Sequence, residues 1–191
     1  MPEPSFSSSS HSPPMISSSS SEAYSRPSPA TRPPMVTLEA LTEVAIAGLG
    51  ECIETLGYEG LELGSTIETI PEGMVGGYIR LAGEGQDVQL GIVSSLAGCQ
   101  SLAGTMLALD PEEDDPLPED ELWDALGELS NIFAGSVKTR LSHAGMPVKI
   151  GLPTACDGSG ESPTSERSCL RSIKIGTVEA VVSVGFHDAA A

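Results

Sequence analysis

Apolar residues fall into clear periods from residue 37 onward. Leu38, Leu41, Ala45, Leu49, Cys52 and Leu56 recur at steps of three and four, which predicts a helix capped by Thr37 and stopped at Gly57. The period then becomes two. Residues 62–70 end at Pro71, residues 74–81 place Val75, Ile79 and Leu81 on one side, and residues 87–93 place Val88, Leu90 and Ile92 on one face. The turns between them, "PEG" and "AGEGQ", carry Gly and Pro, so the three strands are expected to form an antiparallel run. Ser94 or Ser95 can cap a second helix reaching about Leu109, with Leu96, Cys99, Ala103, Met106 and Leu107 inward. A third helix starts after Pro118. Residues 158–168 read as a Ser- and Gly-rich loop. The C-terminal "CLRSIKIGTVEAVVSVGF" reads as a hairpin with Val178, Ala180, Val182, Val184 and Phe186 on one buried face, against Glu179, Ser183 and Gly185. The order is that of an α+β layered domain, and its two halves share a helix-then-strands outline.

Residues 1–35 break this pattern. They are almost wholly Ser, Pro and small polar residues, which cannot bury enough apolar surface to offset the entropy of ordering, so a disordered tail is expected ahead of a domain at 36–188. Glu3, Glu22, Arg26 and Arg32 cancel within the tail, so the net charge of −18 rests on the remainder. So acidic a surface repels phosphate backbones and anionic lipid, against nucleic acid and membranes as partners. It fits protein partners or a salt-rich habitat. Cys52, Cys99, Cys156 and Cys169 match no zinc or redox spacing and are expected to be buried thiols in a reducing cytosol. No apolar run is long enough to span a bilayer, and no signal-peptide pattern opens the chain. The acidic run "DPEEDDPLPED" lacks the Gly and bidentate Glu of a calcium loop and reads as a solvated connection. His143 is expected to close the third helix near its last carbonyls, and Trp123 to pack at an edge.

The third helix, "ELWDALGELSNIFAGSVKTRLSH", carries the candidate chemistry. Stepping about 100° per residue, Leu122, Leu126, Leu129, Phe133 and Val137 form one stripe with Leu141 beside it. Asp124, Glu128, Asn131, Gly135 and Ser142 lie opposite. Asn and Gly disfavour helix, Gly by about 1 kcal/mol relative to Ala. On a surface face, however, they supply an amide and a notch. Glu128 can meet a cation, Asn131 can both donate and accept, and Gly135 lets another surface come within backbone distance. An amide accepting from a water proton can hold that water in line for attack.

"ELWDALGELSNIFAG" resembles the E-x-x-N-x-x-x-G helix of the CheC/CheX/FliY-type chemotaxis phosphatases, and CheX-like domains in particular. "LTEVAIAGLGECIETL" is similar to the family's first helix. "GGYIRLAGEGQDVQLGIVSSLAGCQSLAGTML" is similar to its strand–strand–helix centre, "IGLPTACDG" to the strand after the motif helix, and "VEAVVSVGF" to the last strand. The resemblance implies a mostly antiparallel sheet packed with long helices. It implies hydrolysis of the aspartyl phosphate on a CheY-type response-regulator receiver domain. Glu128 would pair with the receiver's lysine, and Asn131 would position the attacking water. Asp124 and Gly135 are the expected docking residues beside them. The receiver would bring its own magnesium, so no metal site or cofactor of this chain is implied. Glu43 is followed three residues on by Ile46, and Glu51 by Glu54, so a single active face is expected. A homodimer through sheet edges and a cytoplasmic setting are further expectations. The rival reading is a non-catalytic adaptor that binds a receiver or motor component through the same helix face.

Overall fold

A computed structural model describes residues 36–110, 115–158 and 167–187. The expected tail at 1–35, the acidic residues 111–114 and most of the expected loop at 158–168 lie outside them. The described order is α1 (Leu38–Thr55), β1 (Leu61–Ile67), β2 (Val75–Gly83), β3 (Asp87–Ser94), α2 (Leu96–Met106), α3 (Glu119–His143), β4 (Val148–Cys156), β5 (Ser168–Ile175) and β6 (Val178–His187).

The helix ends follow from local chemistry. Thr37 accepts from the Ala40 amide at 3.2 Å and caps α1. Of the two serines open to the second helix, Ser95 is the cap, accepting from Gly98 N at 3.0 Å. That helix stops at Met106, short of Leu109, and Ala108 takes a positive φ of 56°. Two of its expected inward residues prove wrong: Leu96 is 56% and Leu107 47% exposed, whereas Leu102 is buried. α3 begins on Pro118, which offers no side-chain cap, but Glu119, Asp120 and Glu121 load its first turn where the helix dipole favours negative charge. Leu122, Leu126, Leu129, Phe133, Val137 and Leu141 are all buried. Each such side chain contributes up to about 1.5–3 kcal/mol. That total outweighs the helix penalty of an Asn and a Gly on the outer face.

The six strands form one antiparallel sheet in the order β1-β5-β6-β3-β2-β4. The expected hairpin of β2 and β3 is present, with Val75 opposite Ser94 and Leu81 opposite Val88. β1 corrects the expected three-strand run: it pairs with β5 at the far edge, Leu61 opposite Ile175. Local alternation fixes that a segment is extended, but it carries no information about a partner over a hundred residues away. Residues 68–74 must therefore cross from one side of the sheet to the other. Ile67, Ile70 and Met74 pack on Tyr78, Val93, Leu170 and Val181 along the way. A second expectation is corrected as well, because Ser183 and Gly185 of β6 are buried along with the apolar face opposite.

The halves are related in topology. Exchanging α1, β1, β2, β3 with α3, β4, β5, β6 turns the strand order into its own reverse. The central pair β3–β6 is antiparallel, as a two-fold exchange requires. α1 and α3 pack against each other over this sheet. A Cβ on Gly48 would lie 2.8 Å from Val137 Cγ2 and 3.1 Å from Val137 N, so the helices meet at nearly backbone distance there.

Candidate functional site

Two glycines set where α3 lies. A Cβ on Gly77 of β2 would stand 2.4 Å from Ser130 Oγ and 3.3 Å from the Leu126 carbonyl. The helix thus rests directly on that strand, and the buried Ser130 hydroxyl donates back to Leu126 O at 2.8 Å. On the edge strand, Pro153 comes within 3.4 Å of where a Gly127 Cβ would be. Trp123, Gly127 and Asn131 follow one another at four-residue steps, so one ridge of the helix overhangs β4. Between that ridge and β4 is an open cleft of about 400 Å³.

All four residues singled out in the sequence lie on the α3 surface. Glu128 and Asp124 are exposed and line the cleft; Asn131 is half-buried and also lines it. Asn131 Nδ2 donates to Glu128 Oε2 at 3.5 Å. A bond of that length is weak and leaves both groups free to change partner. Gly135 lies outside the cleft lining, and a Cβ there would meet nothing within 4 Å. The helix edge beyond Asn131 is therefore clear. The lining has two carboxylates and no Lys, Arg or His, so an arriving cation meets unneutralised negative charge.

Trp123, Gly127 and Pro153 complete the cleft. Trp123 packs partly on the core, as edge packing predicts, yet it also forms a wall of the cleft. Its indole N–H donates to Glu119 Oε1 at 3.3 Å. Gly127 and Pro153 were not singled out in the sequence as site residues, because their role depends on a contact between two elements. The two four-residue steps from Trp123 through Gly127 to Asn131 were the available clue.

α1 offers no second such surface. Glu51 is ion-paired with Arg140 of α3, at 2.5 Å from Nη2 and 3.3 Å from Nε. Ile46 packs on the core, and Glu43 and Glu54 are exposed without an amide at the matching step. A separate cavity of about 260 Å³ lies between α2 and residues 115–117. Its one amide side chain, Gln100, is engaged in both directions by the Leu117 backbone, at 2.9 Å each. Among the described residues no group of three or more His, Cys, Asp or Glu is placed to hold a metal ion. Nor is any described helix long and apolar enough to cross a membrane.

Burial separates the cysteines. Cys52 and Cys99 are buried, and desolvation pushes their thiols up to about 12 and about 11. Cys99 Sγ also lies 3.3 Å from the Val75 carbonyl, to which it donates. Cys156 and Cys169 are half-exposed, which corrects the expectation of four buried thiols.

The chain matches the family model "Chemotaxis phosphatase CheX" over residues 75–173. Crystal structures of related proteins have the same fold at low identity. A CheX chemotaxis protein from Desulfovibrio desulfuricans is 16% identical with a TM-score of 0.64, covering 77% of this chain and 99% of that one. CheX from Vibrio vulnificus is 21% identical with a TM-score of 0.61, covering 77% and 96%. The CheX–CheY–BeF3–Mg2+ complex from Borrelia burgdorferi is 17% identical with a TM-score of 0.62, covering 77% and 97%. No curated protein matches the chain in sequence. The match spans more than half of the chain and takes in β2 through most of β5 with all of α3, and on that basis this protein belongs to the CheX family of chemotaxis phosphatases.

Proposed function

We propose that this chain hydrolyses the aspartyl phosphate of a CheY-type response-regulator receiver domain, with Glu128 and Asn131 supplied to the receiver's own reaction centre. The observation that carries this reading is the pairing of an exposed carboxylate and an amide one turn apart. They stand at an open cleft on a helix seated against β2 at Gly77 and against Pro153 of β4 at Gly127. The related Borrelia burgdorferi protein was crystallised with CheY, BeF3 and magnesium, which supports a receiver as partner.

In this mechanism Glu128 pairs with the receiver's lysine and gives up its weak bond to Asn131. Asn131 then accepts from a water proton and holds the water oxygen in line with phosphorus. The P–O bond to the receiver's carboxylate breaks as the water oxygen bonds to phosphorus, giving inorganic phosphate and a free aspartate. The receiver brings the magnesium ion. This chain contributes positioning and charge, which suits a loose phosphoryl-transfer transition state needing little covalent help. Asp124 and Gly135 flank the docking face. The setting we propose is cytoplasmic, with a homodimer formed through a sheet edge.

The test is the decay of phosphorylated candidate receivers with the wild-type chain, Glu128→Ala and Asn131→Ala. Acceleration by the wild type, and its loss by roughly 10²-fold or more in Asn131→Ala, is the expected result. Receiver binding with no acceleration would establish the adaptor reading instead. Acceleration that survives Asn131→Ala would refute the positioning mechanism.

A further inference from the structure

We infer that Asp124 is a specificity-determining residue, taking a second cationic side chain of the receiver against the indole of Trp123, beside the lysine that Glu128 takes. The inference rests on the function proposed above, because Asp124 and Trp123 line the same cleft as Glu128 and Asn131. Asp124 precedes Glu128 by four residues, about 6 Å along the helix axis, and Asn131 follows it by seven, so the three share one face. A protein surface that brings a phosphoaspartate to Asn131 and a lysine to Glu128 comes within one helical turn of Asp124.

Charge decides what can lie there. Glu128 has a partner within the chain, the Asn131 amide at 3.5 Å. Asp124 makes no hydrogen bond or ion pair with another described residue. The charged residues at helical contact spacing from it, Asp120, Glu121 and Glu128, are all acidic. The cleft lining holds no Lys, Arg or His, and Arg140 is tied to Glu51 near the other end of α3. An anionic or neutral side chain laid over Asp124 would strip its water and leave it among like charges, which is strongly unfavourable. A cation turns the same residue into an attraction. Trp123 strengthens the preference. Glu119 engages its indole N–H at 3.3 Å, so the tryptophan offers the cleft a ring and not a donor. The π-face of an indole attracts cations. Gly127, four residues after Trp123 and three after Asp124, has no side chain to fill the space between them and Asn131. A receiver without a cation at this point is selected against by an uncompensated charge as well as by a lost contact.

Calorimetry with a receiver loaded with beryllofluoride and magnesium tests this. Asp124→Asn, an exposed and nearly isosteric change, should weaken binding roughly 5- to 10-fold and flatten its salt dependence, raising KM with kcat held within about two-fold. Glu62→Gln removes the same charge from an exposed position on β1, at the opposite sheet edge, and should stay within about two-fold of the wild type. Trp123→Leu should weaken binding roughly three-fold; a folding defect would show separately in its melting temperature. A charge swap identifies the cation. Among receivers with Glu in place of one exposed Lys or Arg beside the phosphoaspartate, other than the lysine paired with Glu128, one should bind the wild type poorly and Asp124→Lys well. Asp124→Asn or folded Trp123→Leu binding at wild-type strength, an equal loss in Glu62→Gln, or no receiver position that pairs with Asp124→Lys would overturn the inference and leave the phosphatase reading standing. Failure of the wild type to bind any receiver would overturn both.

Discussion

Gly135 is a helix breaker on an uncrowded surface, and the empty space above it makes its role testable. Gly135→Ala should raise stability by up to about 1 kcal/mol through helix propensity alone, measured by denaturant unfolding. Gly135→Leu should fold equally well and yet raise KM for the phosphorylated receiver. If both variants keep full activity, Gly135 has no part in docking. The cysteines allow a second check at this scale. Cys52 and Cys99 are buried with thiols raised well above neutral pH, so a maleimide should label at most Cys156 and Cys169 in the native chain. Labelling at Cys52 or Cys99 under native conditions would contradict the core described here. Glu128 and Asn131 were legible from spacing and resemblance because both lie on one helix, where a period of 3.6 places them. Pro153 was not, because it reaches the site only through pairing of β4 with β2.

Among elements, the placement of α3 depends on close contacts that a methyl group would disturb. Gly77→Ala would bring Cβ to 2.4 Å from Ser130 Oγ and 3.3 Å from a backbone carbonyl. It should cost about 1–3 kcal/mol and reduce phosphatase activity by tilting the helix, even at temperatures where the variant is fully folded. The β2–β3 hairpin carries a pH-dependent clasp. Burial pushes the Asp87 carboxyl up, but the Gly83 amide at 3.0 Å, the Arg80 guanidinium and the nearby His187 together hold it below its ordinary value. A lowered native pKa stabilises the fold above the unfolded-state value, and that stabilisation disappears as pH falls through the native one. Asp87→Asn should therefore lower the melting temperature at pH 7, and the gap from wild type should close as the pH drops below about 4. A gap independent of pH would mean the charge is not what matters. The helices and the β2–β3 hairpin could be read from local periodicity. β1 could not, since its partner β5 comes a hundred residues later and any edge position satisfies the same alternation.

For the whole molecule, one internal exchange relates the two halves, and only the second half has an amide at the right step on its helix. In the first half, Glu51 is held by Arg140 as a tie between the helices. That asymmetry argues for one receiver per chain. With β4 flanking the cleft, a dimer that leaves the site open would form through β1 at the other edge. Sedimentation should then give equal numbers of chains and receivers, whatever the oligomeric state. The most direct measurement is the structure of this chain bound to a receiver carrying beryllofluoride and magnesium. The account predicts the Asn131 carboxamide at hydrogen-bond distance from the in-line water position and the Glu128 carboxylate paired with the receiver's lysine. A complex in which α3 turns its 128–131 face away from the receiver's aspartate would contradict it.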